Sequence, residues 1–208
     1  MQNNSVILTM SGNKPASGRD ENDFYSTPYC ATQALLDSLP NGEPYINRTI
    51  LEPMCGAGHI SNVLRKNGYT VVEQDLIARP NIETGELCNT GDFYMIDKWE
   101  GNIISNPPYK EALPIIKHAL DIVPDGYLVC MLLRLQFLEG QERGEFFKQY
   151  PPRDVYVFSK RVGCCKGGTT KDNVSSAQAF AWFVWEKNKR SIAGGPVLHW
   201  ITELNENK

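Results

Sequence analysis

The sequence predicts an α/β fold, an open and mostly parallel sheet with helices on both faces. Three observations predict it. Short apolar runs alternate with helix-like stretches along most of the chain. The first run ends in a glycine-rich turn, Leu51-Glu52-Pro53-Met54-Cys55-Gly56-Ala57-Gly58. Residues 126–133 form a continuous apolar run, as a central strand buried on both faces requires. At 208 residues the chain is long enough for one domain with a sizeable core.

Taken in order, residues 1–22 are polar with little periodicity and read as a flexible tail. Thr27-Pro28 is a helix start, with Thr27 as the cap and Pro28 in the first helical position. That helix covers 31–39 and stops at Pro40-Asn41-Gly42. Residues 49–52 are a strand entering the glycine turn, 60–66 the next helix, and Asn67-Gly68 ends it. Strands follow at 69–74 and 103–105, a helix at 111–120, the central strand at 126–133, and a helix at 141–149 stopped by Pro151-Pro152. Residues 154–158 and 177–185 are two strands with only a polar loop, 163–175, between them, so they are expected to form an antiparallel edge pair. The aromatic-rich second strand reads as core. The folded domain is expected over 23–201, with 202–208 as a tail and no internal linker.

Six cysteines, Cys30, Cys55, Cys88, Cys130, Cys164 and Cys165, lack the spacing of a disulfide framework or a metal site, so reduced thiols and no metal are expected. No apolar run approaches the roughly 20 residues that span a bilayer, and the polar start lacks a signal peptide's apolar stretch. A cytoplasmic location is expected. Residues 134–190 hold eleven Lys and Arg against six Asp and Glu, in a chain whose net charge is −3. A basic C-terminal portion on an acidic body suits phosphates, or is simply a solvated surface.

In an open parallel sheet, ligands sit beyond the carboxyl ends of strands where strand order reverses. The glycine turn is expected there, its glycines admitting close backbone approach and the next helix offering free N–H groups. It lacks the third glycine of the dinucleotide fingerprint. Asp75 follows Gly58 by 17 positions, a suitable distance for a carboxylate that grips a ribose, with Glu73 as the competitor on the same strand face. Gly91-Asp92-Phe93 comes next, an acceptor for an adenine amino group beside a ring that can cover it. His59 is placed at the pocket wall, His118 and His199 are read as ordinary helix and tail residues, and no histidine is given a catalytic part.

Asn106-Pro107-Pro108-Tyr109 directly follows a strand. Its prolines fix the backbone and remove two donors, leaving carbonyls without competing N–H groups. An exocyclic amino group has two hydrogens to give, and Asn106 Oδ1 and the Pro107 carbonyl are the natural acceptors. Tyr109 can stack on a base.

At these residues the chain resembles the S-adenosylmethionine-dependent amino-methyltransferases, and most closely the small phage and prophage DNA N6-adenine methyltransferases. The similarity covers nearly all of 23–201. Asp23-Phe24-Tyr25-Ser26-Thr27-Pro28 is similar to that group's opening segment, which in the family lies against the cofactor's methionine part. Residues 132–140 and 179–186 are also similar. The resemblance implies a Rossmann-like, seven-stranded sheet with one antiparallel strand and S-adenosyl-L-methionine as cofactor. It implies a cofactor site of Tyr25, Thr27, Pro28, Glu52, Pro53, Met54, Cys55, Gly56, Gly58, Asp75, Leu76, Asp92, Phe93 and Asn106. Methyl transfer to N6 of adenine in DNA is expected at Asn106, Pro107, Pro108 and Tyr109 after the base leaves the stack. Similar motifs act on RNA bases and on glutamine amides. RNA or protein substrates are therefore alternatives, as is a non-catalytic protein that binds the cofactor or DNA. Larger enzymes with this motif order carry a recognition domain of on the order of a hundred residues. No segment after Trp185 has that length, so recognition is expected from the 163–175 loop and its flank. Lys160, Arg161, Lys166, Thr169, Thr170, Lys171 and Asn173 are its expected phosphate and base-edge contacts, in a monomer or homodimer.

Overall fold

The computed structural model describes residues 25–40, 48–162, 165–166, 178–189 and 195–204. The strands are β1 (Tyr25–Ser26), β2 (Thr49–Glu52), β3 (Thr70–Asp75), β4 (Asn89–Thr90), β5 (Asn102–Ser105), β6 (Leu128–Arg134), β7 (Asp154–Phe158), β8 (Cys165–Lys166), β9 (Phe180–Glu186) and β10 (Val197–Ile201). The α-helices are α1 (Tyr29–Ser38), α2 (His59–Lys66), α3 (Ala112–Ile122) and α4 (Gln141–Gln149). The main sheet has eight strands in the order β10-β7-β9-β6-β5-β2-β3-β4. Only β9 runs antiparallel to its neighbours; the other pairs are parallel. β3 and β4 extend the sheet on one side of β2, and the chain then returns to lay β5 on the other. The order therefore reverses between β2 and β5, and the carboxyl ends of these strands carry the glycine turn and Asn106-Pro107-Pro108-Tyr109.

The continuous apolar runs are explained by burial on both faces. Val129, Met131 and Leu133 of β6 point into one core with Ile116 and Ala119 of α3 and Phe146 of α4. Leu128, Cys130 and Leu132 point into the other, with Ala31 and Leu35 of α1 and Leu64 of α2. β9 alternates likewise: Ala181, Phe183 and Trp185 face the first core, and Phe180, Trp182 and Val184 the second. Its buried indoles are satisfied, since Trp182 Nε1 donates to the Ala31 carbonyl at 2.8 Å and Trp185 Nε1 to that of Tyr150 at 3.0 Å. Pro114 falls within the first turn of α3, where its missing N–H leaves no helix bond unmade.

Four expectations are corrected. The 154–158 and 177–185 strands do pair antiparallel, but β9 lies between β6 and β7, and the edge belongs to β10. With β10 and the two-residue β4 the sheet has eight strands where seven were expected. His199 stands in β10, stacked on Tyr156 at 4.5 Å and 2.8 Å from Asp154 Oδ1, so it is no tail residue. Helix α1 begins at Tyr29 with Pro28 as the cap residue, and no side chain caps it. The Thr27 hydroxyl is taken elsewhere, by Asn106. The expected N-terminal tail, and the loop positions Thr169, Thr170, Lys171 and Asn173, lie outside the described residues.

Candidate active site

The reversal point opens into a cavity of about 380 Å³. Its wall draws together Tyr25, Ser26 and Thr27 ahead of α1, Glu52 to Cys55 from the end of β2, and Asp75 to Ile77 from the end of β3. Gly91, Asp92, Phe93 and Tyr94 close one end, and Asn106 to Glu111 the other. Pro28, Gly56 and Gly58 do not reach the wall. They shape its support.

The glycine turn is held from both sides. Gly56 and Gly58 have φ of 55° and 76°, the left-handed region that favours glycine. The Gly56 N–H donates to Asp75 Oδ2 at 2.8 Å. At Gly58 a Cβ would come within 2.1 Å of Asn81 Nδ2, so packing against the protein demands this glycine as much as any ligand could. Glu52 is 1% exposed and accepts the Ser61 N–H at 2.8 Å and the Ser61 hydroxyl, fastening the turn to the first turn of α2. Burial holds its carboxyl well above the ordinary value; the Ser61 hydroxyl and Glu73, which lowers and raises it respectively, matter less. Burial likewise pushes the Cys55 thiol up, with nearby Glu52 adding to the shift. Cys30, Cys55, Cys88 and Cys130 are free thiols.

Of the two candidate acids, Asp75 lines the cavity and Glu73 does not. Glu73 pairs with Arg65 at 2.8 Å. Asp75 is itself engaged, accepting from Gly56, from the Ile77 N–H at 3.0 Å and from Arg79 at 3.3 Å. Asp92 Oδ1 accepts the Tyr94 N–H at 3.0 Å, which caps a short 3₁₀ turn, Phe93–Met95. Phe93 is buried, with its ring edge-on to His118 at 4.8 Å. His118 Nε2 lies 3.0 Å from the Phe93 carbonyl, so this histidine holds the turn. Tyr94, half exposed at the same wall, was missed in the sequence, although it adjoins the Asp-Phe pair. Arg79, four residues after Asp75, was missed as well.

At the other end, the Asn106 amide is fixed. Its Nδ2 donates to Thr27 Oγ1 at 3.0 Å and to the Tyr25 carbonyl at 3.4 Å. A carbonyl only accepts, so it identifies which amide atom is the nitrogen. Asn106 Oδ1 is thereby turned away, buried and without a hydrogen-bond partner. The Pro108 carbonyl accepts the Glu111 N–H at 3.0 Å; among the described residues no hydrogen bond uses the Pro107 carbonyl. The Tyr109 ring stacks on Tyr25 at 6.1 Å and packs on Phe180 at 5.8 Å, with the Arg134 guanidinium carbon 4.7 Å from its centre. His59 is 4% exposed at the cavity wall, its Nε2 has no partner, and burial lowers its pKa.

Three of the expected recognition residues, Lys160, Arg161 and Lys166, fall among the described residues. Lys160 and Arg161 are exposed just beyond the carboxyl end of β7. β8 pairs antiparallel with β1, setting the Lys166 backbone opposite Tyr25 of the cavity wall.

Solved structures share this architecture. A protein from Listeria monocytogenes assigned to the class I S-adenosylmethionine-dependent methyltransferases aligns with a TM-score of 0.57 at 12% identity, over 86% of this chain and 67% of that one. The chain has the class I methyltransferase fold. The fold is shared with a type I restriction-modification methyltransferase subunit from Streptococcus thermophilus, at a TM-score of 0.54 and 12% identity over 80% of this chain. This chain spans only 45% of that subunit's length. It is shared too with a protein from Pyrococcus horikoshii assigned as an RNA methyltransferase, at a TM-score of 0.56 and 13% identity over 80% of this chain and 88% of that one. No protein-family model matches the sequence, and no curated protein does.

Proposed function

We propose that the chain is an S-adenosylmethionine-dependent methyltransferase acting on an exocyclic amino nitrogen, and that its substrate is N6 of adenine in DNA, turned out of the duplex. One observation carries this reading: Asn106 Oδ1 is buried without a partner while its own amide nitrogen is tied down. A buried acceptor held ready beside a cavity calls for a donor from a ligand. With the Pro107 carbonyl, it offers two acceptors to an amino group that has two hydrogens.

The cavity residues fit the cofactor. The volume is that of a small-molecule site, and His59 Nε2 is a second buried polar atom that a polar ligand would satisfy. Tyr25, Thr27 and the 52–55 turn would hold the methionine part, Asp75 the ribose, and Asp92 with Phe93 and Leu76 the adenine. When bound, the cofactor supplies a methyl group on a sulfonium. The chain's own work is positioning. Asn106 and Pro107 would accept the two amino hydrogens, which favours a pyramidal nitrogen with its lone pair directed at the methyl. The sulfur keeps the broken bond's electron pair, and the methylated nitrogen gives up one of those hydrogens as a proton to solvent. Geometry of this kind supplies much of a barrier reduction without any nucleophilic side chain. Tyr109 steadies the base ring.

An amino group on an RNA base, or a glutamine amide, would satisfy the same two acceptors and is the alternative substrate. A non-catalytic binder would have no use for an asparagine braced from two directions. Asn106→Ala should lose methyl transfer to DNA and keep cofactor affinity by calorimetry within about threefold, since other residues form most of the wall. Unchanged transfer would remove Asn106 from its role.

A further inference from the structure

Among the described residues, Arg134 is the half-buried arginine left without an acceptor. Arg79 pairs with Asp75, Arg153 with Asp154 and Glu186, and Arg143 donates to the Glu139 carbonyl. Among the described residues Arg134 has neither an ion pair nor a hydrogen bond; its Nε is buried and unpartnered, and its guanidinium lies over the Tyr109 ring at 4.7 Å. It ends β6, opposite Phe180, whose ring also packs on Tyr109. A guanidinium whose Nε is buried without an acceptor, and which packs on an aromatic face, lacks its usual partner, an anion. The cofactor cavity does not supply one, because Arg134 is not in its wall.

Resting on the reading that Tyr109 receives a target base, we infer that Arg134 binds a backbone phosphate of the target strand as that base enters. The guanidinium fork suits phosphate oxygens, and its place against Tyr109 couples the phosphate to the base beside it. The substrate class is then a polynucleotide. A glutamine side chain brings no anion to this position.

The test uses the full chain and compares wild type with Arg134→Gln and Arg134→Lys, measuring methyl transfer to DNA at subsaturating concentration across a salt series. Losing one phosphate contact should flatten the slope of log kcat/KM against log salt by about 0.9 for duplex or about 0.7 for single strands. Arg134→Gln should show that change, with kcat/KM at low salt down about ten- to a hundredfold and cofactor affinity unchanged. Arg134→Lys should keep the wild-type slope. Should Arg134→Gln not melt cooperatively, Arg134→Met replaces it, keeping an apolar stem on Tyr109. An unchanged slope in the uncharged variant, an equal loss in Gln and Lys at every salt, or weakened cofactor binding would overturn the inference. Wild type that methylates no nucleic acid at all would instead refute the proposed function.

Discussion

Thr27→Val removes one oxygen from a buried site and keeps the shape. Thr27 is 3% exposed, and its hydroxyl accepts from Asn106 Nδ2 at 3.0 Å. Without it the amide nitrogen keeps only the Tyr25 carbonyl at 3.4 Å, a long bond. Leaving a buried donor unsatisfied costs about 1–3 kcal/mol, and the remaining carbonyl offsets part of it, so about 1–2 kcal/mol is expected. If that cost falls on the orientation of Asn106 Oδ1, it enters the activation barrier, and kcat drops about 5- to 30-fold. Thr27→Ser keeps the hydroxyl and should stay within about threefold of wild type. The assay is transfer of labelled methyl to DNA at saturating cofactor, with urea unfolding run in parallel. A Val variant as active as wild type would refute the claim that Thr27 aims Asn106. So would an equal loss in Ser and Val.

Two further predictions concern the glycine turn. Gly58→Ala forces a side chain onto a backbone at φ 76° and drives Cβ into Asn81, which is tied to Asn62 by 3.0 Å bonds. Strain and displaced bonds together should cost about 2–3 kcal/mol in urea unfolding; a loss within error of zero would show that the turn adapts. Burial raises the folded-state pKa of Glu52 above 4.5, so the folded chain holds a proton that the unfolded chain releases. The associated stability is fully present below that value and is lost as pH rises through the folded one. Glu52→Gln should therefore flatten the decline of stability from about pH 5 upward, and a pH profile parallel to wild type would contradict this.

The alternation of strands and helices was legible because burial on both faces leaves apolar runs, and β6 and β9 show the two alternating cores directly. The cavity wall was legible in outline because its residues follow carboxyl ends of strands in chain order. Pairing was less so. Nothing local in Phe180–Glu186 says that it inserts between β6 and β7, and Val197–Ile201 has exposed Val197, Leu198 and Trp200, too weak a pattern to announce an edge strand. Side-chain allegiance was hidden for the same reason. Thr27 reads as a helix cap until Asn106, 79 positions away, takes its hydroxyl. Asp75 reads as a free ligand carboxylate until the Gly56 N–H and Arg79 are seen on it.

Transfer to an amino nitrogen, with adenine in DNA as the substrate, can be tested directly on the products. Wild-type protein incubated with labelled cofactor and, separately, DNA, RNA and purified ribosomes should be followed by mass spectrometry of the nucleosides and protein digests. N6-methyladenine is expected in the DNA sample, abolished by Asn106→Ala. Methylated RNA or glutamine with untouched DNA would contradict the substrate. Cofactor binding with no methylated product in any sample would contradict the reaction itself.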